Sequence, residues 1–182
     1  GHTHVERREL ALNAANLLEA DTGNVETRID ALMNDEELVT SKPDWVQNPI
    51  SDRAEATIVR CLINQSKATS SLPSIHTEKA IDWAQGKAGF TFADQQAEAV
   101  RQALQSKISI LTGGPGTGKT TILRALVSIL RAKKTKILLA APTGRAARRM
   151  ADSCSHFAQT VHRLLKFDPS QGGFTMNDQN PL

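Results

Sequence analysis

Eight consecutive residues near the middle of the sequence, GGPGTGKT at 113–120, have the composition and spacing of a phosphate-binding loop. Glycines let the backbone curl so that successive N–H groups point at a phosphate chain. Lys119 supplies a positive charge for the outer phosphates, and the Thr120 hydroxyl can coordinate Mg²⁺. We predict that Lys119 and Thr120 carry the chemistry and that the nucleotide contacts Gly113, Gly114, Pro115, Gly116, Thr117, Gly118, Lys119, Thr120 and Thr121.

Two predicted elements flank this loop. Residues 108–111 read as a short buried strand, and residues 121–130 have the apolar spacing of a helix. A second apolar run at 136–141 predicts another strand, parallel to the first through a right-handed crossover. The expected fold class is α/β, a P-loop NTPase with a partial parallel sheet.

Gln96 is a candidate contact for the base of the nucleotide. It lies at the start of a helix expected to reach about Leu104, 17 residues before Gly113. A glutamine amide offers one donor group and one acceptor, which match the N6 and N7 edge of adenine. The alternative is a solvated surface glutamine, and the position just before the loop favours the adenine contact.

A basic segment follows the second predicted strand. Thr143 is placed to cap a helix that begins near Arg145. Arg145, Arg148 and Arg149 would share one side of that helix, which suits contact with a nucleic-acid phosphate backbone.

The charge distribution also points to a polyanion. Residues 1–119 contain 12 Lys and Arg against 16 Asp and Glu, a net charge of −4. Residues 120–182 contain 10 Lys and Arg against three Asp, a net charge of +7. Nucleic acid is the first candidate for a partner of such a segment, and a solvated basic face is the alternative.

The first 88 residues are expected to form a mainly helical domain, with the boundary at 86–89 and a linker at 66–74. Helices are predicted over residues 5–20, 25–38, 52–65 and 77–85, with Thr22 or Asn24 capping the second. Residues 39–40 and 45–46 would form a hairpin, an order compatible with a winged-helix module. The apolar faces predicted to be buried comprise Leu10, Leu12, Ala14, Leu17, Leu18, Ile29, Leu32, Met33, Ala54, Ala56, Ile58, Val59, Leu62, Ile63, Ile81 and Trp83.

Composition excludes several classes of protein. Hydrophobic residues make up 40% of the chain, enough for a core and against global disorder. The sequence has no run of 18 apolar residues and no visible secretory signal, so we expect no membrane association. Cys61 and Cys154 lie far apart without metal-binding spacing, which is typical of reduced thiols in a cytoplasmic protein.

Four segments together resemble a known family. FADQQAEAV, LTGGPGTGKTT, LLAAPTGRAARRM and TVHRLL, in this order, resemble motifs of RecD-type DNA helicases, the exodeoxyribonuclease V alpha-subunit family of helicase superfamily 1. The match covers about residues 90–166. It departs from the family at Ala93, where a helix-capping Ser or Thr is usual, so Thr91 or Asp94 would cap instead.

The resemblance implies RecA-like motor domains that use ATP and Mg²⁺ to unwind DNA and move 5′ to 3′ along a single strand. Lys119 and Thr120 would handle phosphates and metal, and Gln96 would contact adenine. Partners would be single-stranded DNA and other subunits of a nuclease–helicase complex in DNA repair or recombination. Positions matching the family's single-strand contacts are Pro142, Thr143, Arg145, Thr160 and His162.

Such a motor also needs a strand that ends in Asp-Glu to bind Mg²⁺ and activate water. After Lys119 the sequence has only Asp152, Asp168 and Asp178 as acids, and residues 168–182 read as a flexible tail. We therefore expect residues 89–182 to be the first part of a motor domain, cut before the Asp-Glu motif. The alternatives are a nucleotide-dependent DNA- or protein-binding module and, with less support, a small P-loop kinase.

Overall fold

A computed structural model describes residues 3–69, 72–177 and 179–182, which form two compact units, Gly1–Lys67 and Ala68–Leu182. Ser70 and Ser71 of the predicted linker, and Asp178, lie outside the described residues. The prediction of domains over 1–88 and 89–182 stays a prediction. The compact units divide earlier, because the helix just before residue 89 contributes to the core of the second unit.

The described part of the first unit combines helices with a small antiparallel sheet. Its elements are β1 (His4–Glu6), α1 (Arg7–Leu18), α2 (Thr22–Asn34), β2 (Val39–Lys42), β3 (Trp45–Gln47) and α3 (Pro49–Ser66). The strand order is β1-β3-β2, so the hairpin predicted from residues 39–46 is confirmed. Strand β1 was not predicted, because three residues are too few to show an alternating pattern. The winged-helix assignment stays a prediction.

Helices α1 and α2 pack through small and β-branched residues. The buried residues are Ala11, Ala15, Val25 and Ile29. The prediction that Leu12, Leu17 and Leu18 are buried is wrong, since they are 49%, 83% and 67% exposed. Ala11 and Ala15 lie one turn apart and form the contact face, which leaves the larger leucines outside it.

Two further predictions for this unit are wrong. Asp21 caps α2, where Thr22 or Asn24 was expected, and its Oδ1 accepts hydrogen bonds from the N–H of Gly23 at 2.9 Å and of Asn24 at 3.3 Å. Helix α3 has the expected position but no buried residue, although it was expected to bury residues including Ile58 and Leu62. An apolar helix face is buried only where another element covers it, which periodicity alone does not reveal.

The second unit contains the predicted loop. Its described elements are α4 (Thr77–Ala88), α5 (Asp94–Gln105), α6 (Lys119–Ala132), β4 (Leu139–Ala141), α7 (Gly144–Cys154), β5 (Ala158–Thr160), α8 (Val161–Leu164), β6 (Phe167–Asp168) and β7 (Gly173–Phe174). Helices α4, α5 and α6 share a core made of Ile81, Ala84, Phe92, Val100, Leu104, Ile122, Ala125 and Ile129. Trp83 was expected in this core but is 44% exposed.

The parallel pair of strands differs from the predicted one. Residues 108–111 do not form the expected buried strand, and Ile110 is 80% exposed. An extended segment becomes a strand only when a neighbour accepts its hydrogen bonds, and no strand in the described residues pairs with this one. Instead β4 pairs in parallel with β5 through α7, which confirms an α/β fold with a small parallel sheet.

The end of the chain is also more regular than predicted. Strands β6 and β7 form an antiparallel hairpin in which Phe167 pairs with Phe174. The Met176 N–H donates to the Leu165 carbonyl oxygen at 3.1 Å, which extends the contact beyond the strands. The prediction of a flexible tail from residue 168 is therefore wrong for this hairpin. The glycines and proline of this segment suggested an irregular, flexible chain, but these residues also favour the turns of a hairpin.

Candidate nucleotide and nucleic-acid site

The loop of residues 113–118 leads directly into α6, with Gly118 at the N-cap position. Gly116 and Gly118 have φ angles of 78° and 86°, a left-handed conformation that glycine adopts without strain. The first N–H groups of α6 have no partner within the helix and can bind an anion. The loop therefore has the backbone curvature and the donors of a phosphate site.

Lys119 is folded back over this loop. Its Nζ donates hydrogen bonds to the carbonyl oxygens of Gly113 and Gly114, each at 2.6 Å. The Thr117 hydroxyl donates to the same Gly114 oxygen at 2.9 Å. The ammonium group thus lies inside the loop, where the phosphates of a nucleotide would meet it.

The remaining loop residues are accessible. Pro115 and Thr120 are exposed and Thr121 is half-buried, while the next residue, Ile122, belongs to the core. The buried side of α6 fixes the first turn of the helix, and Thr120 is left facing solvent. Its hydroxyl is therefore free to coordinate a metal ion brought in with a nucleotide.

Gln96 lies against the loop. Its Nε2 donates to the Thr117 carbonyl oxygen at 3.3 Å, and its Oε1 accepts from the Ala93 N–H at 3.2 Å. Ala93 is the N-cap of α5 and has no capping side chain, so Gln96 caps this helix, where Thr91 or Asp94 was expected. The amide retains a second hydrogen and a second lone pair, so the predicted adenine contact stays a prediction.

Substitution of Gly118 by alanine is expected to weaken nucleotide binding roughly tenfold. An added Cβ would lie 2.3 Å from Gln96 Nε2, and the left-handed backbone would cost about 1–2 kcal/mol. Gly114 provides a matched control, since its Cβ would meet nothing within 4 Å and its φ is not in the left-handed region. Titration of a fluorescent ATP analogue into Gly118→Ala and Gly114→Ala measures both effects. Equal affinities in the two variants would contradict the contact between Gln96 and the loop.

The parallel pairing of β4 and β5 brings two distant segments together. Ala141 is the register partner of Thr160, so Pro142 and Thr143 begin beside Thr160 and His162 at the carboxyl ends of the strands. The Thr143 hydroxyl accepts from the Ala146 N–H at 3.2 Å, which confirms it as the cap of α7. The carboxyl edge of a parallel sheet is where α/β proteins bind ligands.

Thr160 has the same role for the next helix. Its hydroxyl accepts from the Arg163 N–H at 3.2 Å and caps α8. Two helix starts therefore face the same edge of the sheet.

The three arginines of α7 lie on its exposed side. Arg145, Arg148 and Arg149 are all exposed, whereas Ala147 and Cys154 face the protein interior. Within residues 3–69, 72–177 and 179–182, none of the three arginines makes an ion pair or a side-chain hydrogen bond. Their guanidinium groups are available to an external anion.

His162 belongs to an aromatic cluster that sequence reasoning missed. Its ring centroid lies 5.6 Å from that of Phe167 and 5.7 Å from that of Phe174. The two phenylalanines are about 40% exposed. They are separated by six residues of apparent tail, and only the hairpin pairing brings them to one side.

Asp168 is engaged in the turn that follows it. Its Oδ1 accepts from the Ser170 N–H at 2.9 Å and from the Ser170 hydroxyl at 2.6 Å. These hydrogen bonds hold the pKa of Asp168 below its usual range, because they favour the carboxylate. Among the described residues, no group of three or more His, Cys, Asp or Glu is arranged to hold a metal ion.

A protein-family model matches part of the second unit. Residues 96–182 match the AAA domain family. Among the helices that the structure describes, not one combines the length and the apolar composition of a membrane span.

Three relatives show similarity over about half of the chain. The ATP-dependent RecD2 DNA helicase of Deinococcus radiodurans is 40% identical over 101 residues, which are 55% of this chain and 14% of that protein. The RecBCD enzyme subunits RecD of Mycobacterium tuberculosis and Haemophilus influenzae are 35% and 37% identical over 112 and 113 residues. Each of these two matches covers 49% of this chain, and they cover 19% and 18% of the respective subunits.

Proposed function

We propose that this RecD-type helicase sequence binds ATP with Mg²⁺ at the loop 113–121 and single-stranded DNA at the carboxyl edge of β4 and β5, as part of an ATP-dependent 5′–3′ DNA helicase. The observation that carries the proposal is the register of β4 and β5. It sets the APTGRAARR segment (141–149) and the TVHRLL segment (160–165) side by side, although residues 150–159 separate them in the chain.

The contacts of the loop support the nucleotide part of this proposal. The Lys119 ammonium contacts the loop at Gly113 and Gly114, and the N-terminus of α6, whose first N–H groups can bind an anion, follows directly after Gly118. Thr120 would coordinate Mg²⁺ when ATP is bound, and the bound metal would neutralise charge on the phosphates. Gln96 would direct its remaining amide hydrogen and lone pair to adenine.

The DNA part is supported by charge and by accessibility. Arg145, Arg148 and Arg149 lie on one face of α7 without an ion-pair partner among the described residues, next to the capped helix starts at Thr143 and Thr160. Arginine donors and helix-terminal N–H groups are the usual contacts of a phosphate backbone. His162 and its phenylalanine neighbours would offer ring surface to an unstacked base.

Replacing all three arginines with alanine is expected to weaken binding of single-stranded DNA whatever its base sequence. The slope of log affinity against log salt should become shallower by about 0.7 for each lost phosphate contact. The control is Lys133→Ala/Lys134→Ala/Lys136→Ala, which removes the same charge from exposed positions outside α7. Fluorescence anisotropy of an oligothymidine at several salt concentrations measures both quantities. If the two triple variants have the same slope, general surface charge explains the binding and the assignment is wrong.

The second candidate is a nucleotide-dependent binding module without unwinding activity. The use of Asp168 in a local turn favours it, since that carboxylate already has two hydrogen-bond donors. Steady-state phosphate release by the whole protein, with and without single strands, separates the two. DNA-stimulated release together with strand separation supports the helicase, whereas nucleotide-dependent DNA binding without turnover supports the module.

A further inference from the structure

A cavity of about 280 Å³ lies on the flank of α6, between α4 and the end of α7. Its rim carries three basic side chains, Lys87 from α4 and Arg124 and Arg131 from α6. Three hydroxyl groups stand beside them, those of Thr121, Ser128 and Ser155. Only Thr121 is shared with the residues assigned to the nucleotide loop, so most of this lining has no role in the proposed function.

The charges of the rim are largely uncompensated. No acidic residue of the described chain lines the cavity. Arg131 Nη1 donates to the Ser155 carbonyl oxygen at 3.1 Å, a neutral partner that leaves the arginine charge in place. Lys87 Nζ lies 5.0 Å from the centroid of the Trp83 ring, and Arg124 makes no side-chain hydrogen bond or ion pair within the described residues.

The floor of the cavity is apolar and buried. Ala84, Phe92, Ala125 and Cys154 are 3%, 6%, 7% and 3% exposed. Burial raises the pKa of the Cys154 thiol, and the nearby charge of Arg124 partly offsets that rise. The Arg124 guanidinium lines the cavity beside this floor, whose low polarity screens charge poorly.

The size of the cavity limits its occupant. Pockets for drug-sized ligands enclose about 300–1,000 Å³, and this cavity lies at the lower end of that scale. Cationic donors and hydroxyl groups around a small volume suit an anion with several oxygens. Arginine in particular matches the oxygen geometry of phosphate.

We propose that the cavity lined by Lys87, Arg124, Ser128 and Arg131 binds a phosphate-type anion, separately from the loop 113–121. The anion is either a free phosphate or diphosphate, or a single phosphodiester group of a DNA strand that runs along α6. The two sources share the same chemistry, and the experiment below separates them.

The test follows the backbone amide resonances of Ser128 and Ser155 by NMR while diphosphate is added to the 182-residue chain. The chain carries Lys119→Ala, so that the loop does not compete for the anion. We expect saturable shifts at both amides, and about tenfold weaker binding in Lys87→Gln/Arg124→Gln. The matched control, Lys134→Gln/Lys136→Gln, removes the same charge from exposed positions outside the cavity and should bind as the parent does.

Three outcomes would overturn the proposal. The first is shifts that do not saturate at Ser128 and Ser155. The second is equal weakening in the two double variants, which would mean attraction to general surface charge. The third is binding of citrate as tight as that of diphosphate, which would exclude selection for phosphate.

The source of the anion is decided by adding oligothymidine to the same sample. Displacement of diphosphate from the cavity, with a shallower salt slope for oligothymidine in Lys87→Gln/Arg124→Gln, identifies the phosphodiester of a strand. Unchanged amide shifts on addition of the oligonucleotide identify the free anion. An intact fold in each variant is checked by the unshifted amide resonances of the α5 core residues Val100 and Leu104.

Discussion

We expect the Lys119→Ala substitution to lower the affinity for ATP roughly tenfold to a hundredfold and to leave the chain folded. Lys119 Nζ is the cation inside the loop, and a hydrogen bond to a charged group contributes about 1.5–3 kcal/mol. The two carbonyl oxygens that it releases, those of Gly113 and Gly114, lie in exposed residues and can bind water instead. Isothermal titration with a non-hydrolysable ATP analogue and Mg²⁺ measures the affinity.

Lys136→Ala is the control for this experiment, because it removes one positive charge from an exposed position of the same unit. It should bind the analogue as the unmodified chain does, and circular dichroism should show the same helix content in both variants. If Lys119→Ala keeps the affinity of the control, the nucleotide binds elsewhere.

Ile129→Ala should destabilise the second unit by about 2–5 kcal/mol. Ile129 is 2% exposed and lies where α6 meets the core that it shares with α4 and α5. Removing a buried isoleucine loses its transfer free energy and leaves a cavity that neighbours fill only in part. Urea unfolding followed by Trp83 fluorescence, in a Trp45→Phe background, reports on this unit alone because Trp83 lies in α4.

The same substitution at an exposed site provides the comparison. Ile110 is 80% exposed, and Ile110→Ala should change the free energy of unfolding by no more than about 0.5 kcal/mol. A loss at Ile129 as small as that at Ile110 would mean that α6 is not packed as described.

The elements around the loop could be predicted where the residues that determine an element all lie within one short stretch of sequence. The glycines before Lys119 predict the turn, and the apolar spacing after it predicts helix α6. Thr143 was predicted to cap α7 because its hydroxyl lies three residues before the N–H that it binds. The resemblance to RecD-type helicases is confirmed. It could be recognised from the sequence because each of its motifs is a short continuous segment.

Features that depend on a distant partner were not predictable in this way. Residues 108–111 have the composition of a buried strand, yet their pairing depends on other parts of the chain. The hydrogen bond of Gln96 to the Thr117 carbonyl oxygen and the aromatic contact of His162 with Phe174 join residues whose separate patterns carry no sign of each other. The roles of the individual site residues in ATP and DNA binding stay predictions.

The two hydrogen bonds from Lys119 to its own loop have a consequence for calorimetry. The Lys119 ammonium has three N–H donors and already uses two of them on Gly113 and Gly114, so further bonds to phosphate would weaken or replace bonds that the loop makes. The heat released on binding would therefore understate the number of contacts in the complex. In Lys119→Met this side chain has neither the bonds to the loop nor those to phosphate, so the heat of binding reports only the other contacts of the nucleotide.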